Sequence, residues 1–123
     1  MLVVEDDPDI REVMAEILED AGFAVLEAAN GREALEAIRA GPRVALIFLD
    51  LMMPVMDGWA FRAEQLADPS IRDIPIVVLS GAGEALRESA AVLAAQEIVV
   101  KPFRLEELVQ IAARHTAGTA SGR

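Results

Sequence analysis

The pattern of this chain predicts a parallel α/β fold, one sheet with helices on both faces. Three observations carry the expectation. Short apolar runs alternate with helical stripes five times along the 123 residues. One run, Val44-Ala45-Leu46-Ile47-Phe48-Leu49, is uninterrupted, the mark of a central strand buried on both faces. Where the runs end, residues with usable chemistry follow: Glu5-Asp6, Asp50, Ser80 and Lys101. Successive strand–helix units give parallel strands joined by right-handed crossovers. In such sheets ligands bind at the carboxyl ends of the strands, so these polar residues converge on one rim.

Each element follows from local chemistry. Leu2–Val4 is the first strand. After Asp7-Pro8, apolar residues at Ile10, Val13, Met14, Ile17, Leu18 and Ala21 form one helical stripe. Asp7 suits the N-cap, Pro8 the first helical position and Gly22 the stop. Phe23–Leu26 is expected as the second strand. Asn30 with Glu33 resembles a capping box for a helix carrying Ala34, Leu35 and Ile38, ended by Gly41-Pro42. Val44–Leu49 is the third strand. Gly58 to about Ala67 is a helix bearing Trp59, Phe61 and Leu66, closed by Asp68-Pro69. Ile76–Leu79 is the fourth strand, followed by a weakly striped helix from about Glu84 to Ala95. Ile98–Val100 is the fifth strand, and the last helix runs from about Leu105 to Arg114. Residues 1–115 therefore form one domain, and the small, polar segment 116–123 is expected to be a disordered tail.

Composition excludes several function classes. Cysteine is absent, which removes disulfides, thiolate nucleophiles and cysteine–zinc sites. No apolar run approaches the ~18 residues of a membrane span. Met1 leads into a strand and then acids, without the basic segment of a signal peptide, so the cytoplasm is the expected location. A net charge of −10 argues against direct nucleic-acid binding by this chain.

The rim carries the chemistry. Strand order cannot be read from periodicity, but an order that reverses beside the first and third strands sets Glu5, Asp6 and Asp50 around one crevice. Carboxylates crowded in this way repel one another unless a cation neutralises them. Mg²⁺ is the usual cation for a shallow all-oxygen site and pairs readily with phosphate. One carboxylate can then act as a nucleophile toward phosphorus and form an aspartyl phosphate, with no proton to lose. Ser80 offers a hydroxyl and Lys101 an ammonium to the phosphoryl oxygens. Taken singly, each residue has a plainer role: Asp7 a cap, Asp57-Gly58 a turn and helix start, Ser80 a strand terminus, Lys101 a surface lysine. Met52, Met53 and Met56 read as packing residues, and His115 suits a helix end. The conjunction at four strand ends favours the site.

At this point the chain resembles the receiver domain of two-component response regulators, over about Leu2 to Ala113. The matching stretches are Leu2 to Arg11 (LVVEDDPDIR), Leu49 to Gly58 (LDLMMPVMDG), Ile76 to Gly81 (IVVLSG) and Val100 to Phe103 (VKPF). The resemblance implies a flavodoxin-like (βα)₅ doubly wound sheet of strand order 2-1-3-4-5. It implies Asp50 as phospho-acceptor, and Asp6, Asp50 and the Met52 backbone carbonyl as direct Mg²⁺ ligands. Ser80 matches the switch hydroxyl and Lys101 the lysine that bonds the phosphoryl group. The Lys101-Pro102 bond is expected to be cis. Glu5 stands where the family commonly has aspartate, and its longer side chain is expected to act through metal-bound water. Ile98 stands where an aromatic residue usually serves as the output switch.

The function so implied is a phosphorylation-controlled signalling module that accepts a phosphoryl group from a histidine kinase or phosphotransfer protein. It is not an enzyme beyond its own phosphorylation and dephosphorylation. Partner binding or homodimerisation is expected on the face made by the helix from about Glu84, the fifth strand and the last helix. Water would approach the phosphoryl group past Met52 and Ala82, neither of which can orient it, so slow autodephosphorylation is expected. An aspartate-nucleophile phosphohydrolase of the haloacid dehalogenase type is the enzymatic alternative. It wants a second aspartate two residues after the nucleophile, where this chain has Met52. A phosphate-silent interaction module is the third option, which intact Asp6, Asp50, Ser80 and Lys101 disfavour.

Overall fold

The computed structural model describes residues 1–41, 43–81 and 95–120. The order is β1 (Leu2–Val4), α1 (Pro8–Asp20), β2 (Leu26–Ala28), α2 (Gly31–Ala40), β3 (Ile47–Asp50), α3 (Gly58–Ala67), β4 (Ile76–Ser80), β5 (Glu97–Val100) and α4 (Leu105–Ala120). The five strands form one parallel sheet in the order β2-β1-β3-β4-β5. This is the predicted doubly wound fold and order. The expected helix from about Glu84 lies outside the described residues apart from Ala95, which packs on the core.

Alternation along the strands divides the core into two layers. Leu2, Val4, Ile47, Leu49, Ile76 and Val78 face one side, where α2 and α3 contribute Leu35, Ile38 and Phe61. Val3, Phe48, Val77, Leu79 and Val99 face the other, against Met14, Leu18, Leu108 and Ile111 of α1 and α4. Each fully buried side chain of this kind is worth about 1.5–3 kcal/mol of transfer free energy. With both faces covered, the central strands themselves carry polar side chains only where they end.

The expected caps form. Asp7 accepts from the amides of Asp9 and Ile10 at 2.9 and 3.3 Å, with Pro8 in the first turn. Gly22 takes φ +101° just beyond α1. Asn30 accepts from the Glu33 amide at 2.9 Å, while Glu33 reaches back to the Ala29 amide at 2.9 Å, one residue before the usual box partner. Asp57 caps α3 through the Ala60 amide at 2.8 Å.

Four expectations change. The second strand is Leu26–Ala28 rather than Phe23–Leu26, because β1 sets the ladder and pairs Leu2 with Leu26. Phe23 and Val25 pack on the α1–α4 layer without joining it. The third strand begins at Ile47 rather than Val44, since its neighbours begin opposite it at Leu2 and Ile76. The helical stripes are also imperfect. Ile10 and Val13 of α1 are 43% and 46% exposed, and α3 buries Arg62 and Gln65 beside Phe61 while Leu66 is exposed. Finally, α4 continues to Ala120, so the helix takes in the first residues of the segment expected to be disordered from Thr116. The Thr116 hydroxyl satisfies itself on the Ala112 carbonyl one turn back.

Candidate phosphoryl and metal site

Glu5 and Asp6 follow β1, Asp50 closes β3, Ser80 closes β4 and Lys101 follows β5. Because β1 has β2 on one side and β3 on the other, the chain reverses its winding between β1 and β3, and the crevice opens there. Glu5 and Asp50 are only 2% and 4% exposed, whereas Asp6 is exposed. Carboxylate oxygens of Glu5, Asp6 and Asp50 lie within 4.8 Å of one another.

Lys101 enters this cluster from the far end of the sequence. Its Nζ lies 3.3 Å from Glu5 Oε1 and 3.4 Å from Asp50 Oδ1. Its backbone amide donates to the Ser80 carbonyl at 2.8 Å, which ties the lysine to the end of β4. Ser80 itself is buried, one residue beyond Leu79, the register partner of Asp50. The Lys101-Pro102 bond is cis, as the resemblance implies.

One lysine does not balance three acids. Burial and then repulsion from Asp50 raise the Glu5 pKa to about 6, against the opposing pull of the Asp7 amide and Lys101. Burial acts to lower the Lys101 pKa, but Asp50 and Glu5 outweigh it and the net shift is upward. The crevice is thus an all-oxygen donor set with uncompensated negative charge, which fits a hard divalent cation such as Mg²⁺.

The loop after Asp50 is held at several points. Met52 donates its amide to Asp50 Oδ1 at 3.4 Å. The Met56 amide donates to the Pro54 carbonyl at 2.7 Å, closing a γ-turn centred on Val55 at φ +69°. A β-branched residue in that region is strained, at a cost of about 1–3 kcal/mol. Two glycines make the loop fit. A Cβ on Gly58 would sit 2.8 Å from the Asp50 carbonyl oxygen, and one on Gly31 2.8 Å from Met56 Cγ. Met53 and Met56 pack against the core, as expected of them, but Met52 is 71% exposed. Its side chain is therefore mostly in solvent. Ala82, the other residue on the expected water approach, lies outside the described residues. Ile98 is half-buried against the α2–α3 layer.

Two features escaped the sequence reading. Val55 could be found only from its backbone angle. Arg11 was part of a recognised stretch but had no role; it donates to the Glu5 carbonyl at 2.9 Å and to Glu27 at 3.3 Å. A basic residue one turn after the helix cap was the available signal. An apolar groove lined by Ile10, Val13, Met14, Pro102, Phe103 and Leu105 opens beside Lys101. No helix among the described residues is long and apolar enough to cross a membrane.

Comparison with known proteins agrees with this geometry. The response regulator receiver domain family matches residues 1–113. A probable transcriptional regulator, ycf27 of Pyropia yezoensis, is 38% identical over 109 residues, covering 88% of this chain and 43% of its own. The chain thus spans less than half the length of that relative. Chemotaxis protein CheY4 of Vibrio cholerae superposes with TM-score 0.81 at 36% identity, over 92% of this chain and 94% of that one. The receiver domain of a sensor histidine kinase from Pseudomonas aeruginosa superposes with TM-score 0.84 at 30% identity, over 94% of this chain and 95% of that one, and has a magnesium ion coordinated in its active-site cleft. Receiver domains are regulatory modules that accept a phosphoryl group on an aspartate, bind Mg²⁺ and work with histidine kinases or phosphotransfer proteins. This chain belongs to the receiver domain family of two-component response regulators.

Proposed function

We propose that Asp50 is the phospho-acceptor of this receiver and that Asp6, Asp50 and the Met52 carbonyl hold Mg²⁺, with Glu5 acting through a metal-bound water. The observation that carries the reading is the bridging of Glu5 and Asp50 by Lys101, at 3.3 and 3.4 Å, in a crevice still short of positive charge. An Asp50 carboxylate oxygen attacks phosphorus in line with the P–N bond of a donor phosphohistidine. The P–O bond forms as the P–N bond breaks, and its electron pair stays on the imidazole nitrogen. Mg²⁺ supplies neutralisation of the phosphoryl oxygens and the crowded carboxylates when bound. Lys101 turns from its carboxylate partners to a phosphoryl oxygen, and Ser80 donates its hydroxyl to another. Each gains a contact only in the phosphorylated state, which is the differential interaction that shifts a population.

The groove that reaches Lys101 gives a donor domain an apolar surface at the edge of the crevice. Output contacts or homodimerisation use the face that includes β5 and α4, beside the helix expected from about Glu84; Val100, half-exposed on edge strand β5, supports this. A net charge of −10 disfavours direct nucleic-acid binding by this chain. A cytoplasmic location fits a partner that is a kinase.

The test is intact-mass spectrometry after incubation with acetyl phosphate and Mg²⁺. One phosphoryl mass is expected, absent in Asp50→Ala and in EDTA. A full gain in either would overturn the assignment.

A further inference from the structure

The backbone of Glu5 is pinned on both sides of its Cα. Its amide donates to the Ala28 carbonyl of β2 at 3.1 Å, and its carbonyl accepts from Arg11 Nη1 at 2.9 Å. That carbonyl belongs to the planar peptide unit leading into Asp6, so the bond sets the plane from which Asp6 projects. Arg11 is itself held. Its Nε donates to Glu27 Oε1 at 3.3 Å, its side chain is 19% exposed, and its amide donates to the Asp7 carbonyl at 2.9 Å. A guanidinium presents its donors in a rigid fork and can meet both partners at once, which a lysine ammonium on its flexible stem cannot do with the same geometry.

We propose that Arg11, steered by Glu27, is a positioning residue that orients the Glu5–Asp6 peptide so that both carboxylates can share one cation with Asp50. The proposal rests on the reading of these acids as the Mg²⁺ site. It makes a prediction opposite in sign to simple electrostatics. A guanidinium close to an acidic crevice repels a divalent cation, so on charge alone its removal would tighten Mg²⁺ binding. As a positioning residue, its removal must weaken binding.

The experiment is isothermal titration calorimetry of Mg²⁺ into the wild type, Arg11→Met, Arg11→Lys, Glu27→Gln and Asp6→Asn, with urea unfolding in EDTA to establish that each variant is folded. Arg11→Met is expected to weaken Mg²⁺ binding about 10-fold, the lower end of the usual cost of losing a group that orients metal ligands. Arg11→Lys should recover part of the loss through one remaining bond to the Glu5 carbonyl, and Glu27→Gln should weaken binding less than Arg11→Met. Unchanged or tighter binding in Arg11→Met, while Asp6→Asn still loses the metal, overturns the role of Arg11 and leaves the metal site standing. Undiminished binding in Asp6→Asn overturns the metal site itself. If Arg11→Met does not fold, Arg11→Lys and Glu27→Gln decide, and wild-type affinity in both overturns the proposal.

Discussion

Two carboxylates at opposite ends of the sheet meet cations in different ways. Glu5, beyond the carboxyl end of β1, is buried beside Asp50 and shares one lysine with it. Glu97, at the start of β5, accepts two hydrogen bonds of 2.8 Å from Arg114 and lies 2.9 Å from His115 Nε2. The Glu97 pKa is lowered, first by its hydrogen bond from Arg114 and then by that from His115, whereas that of Glu5 is raised to about 6. One region is a satisfied surface cluster, and the other is short of positive charge by design of the fold. Charge left uncompensated in the folded chain is what gives a divalent cation and a phosphoryl group something to do. The same substitution should therefore have opposite effects in the two places.

The largest effect is expected from Lys101→Met. In EDTA at pH 8 it leaves two buried carboxylates facing each other without a cation. A loss of about 2 kcal/mol is expected, below the usual cost of breaking a buried pair because Lys101 is 30% exposed. Mg²⁺ binding should tighten, since a competing cation is gone, while the response to phosphorylation fails. Urea unfolding with and without Mg²⁺ reads both, and an apo stability equal to wild type would break the comparison.

The pH dependence of the metal-free protein comes next. The Glu5 pKa is about 6 when folded, above its ordinary 4.5, so between these values the folded state binds more protons than the unfolded. Its contribution to stability is therefore greatest below pH 4.5 and falls as pH rises to about 6, by on the order of 1–2 kcal/mol. Glu97 has the opposite sign: its lowered pKa gives stability at neutral pH that is lost as pH falls through its folded value. Glu5→Gln should flatten the first slope and leave the second. A wild-type curve in EDTA that rises from pH 5 to 6.5 by the same amount in Glu5→Gln would remove the distinction.

Asp50→Asn sharpens the contrast with an isosteric change. Removing one of two facing anions should stabilise the metal-free protein by about 1 kcal/mol at pH 7 and abolish stabilisation by Mg²⁺. Glu97→Gln, the matching change in the satisfied cluster, should destabilise by about 0.5 kcal/mol, because Arg114 is largely exposed and water screens the pair. This last effect should shrink in high salt. Thermal melts of both variants, side by side, decide whether the signs differ.

Much of the molecule is written in short-range chemistry. Asp7-Pro8, Asn30 and Asp57 mark helix starts because a cap needs only the next three residues. Asp50, Ser80 and Lys101 were legible as candidates for one rim because each ends or follows an apolar run that must be a buried strand. The stretches around them sufficed to identify the family. Phe23 and Val25 misled because an apolar side chain reports burial, not pairing.

Tertiary structure decided what no local pattern contains. The order β2-β1-β3-β4-β5 and the pairing of Leu2 with Leu26 arise from contacts between strands distant in sequence. Only that order brings Lys101 to Glu5 across 96 positions. The raised pKa of Glu5 needs both burial and Asp50, and so exists only once the crevice has closed around it. The grip of Arg11 on the Glu5 carbonyl and the positive φ of Val55 are likewise products of the assembled rim. The sequence by itself determined which groups end each strand; packing determined how near they stand, and electrostatic interaction depends on that distance and on the exclusion of water.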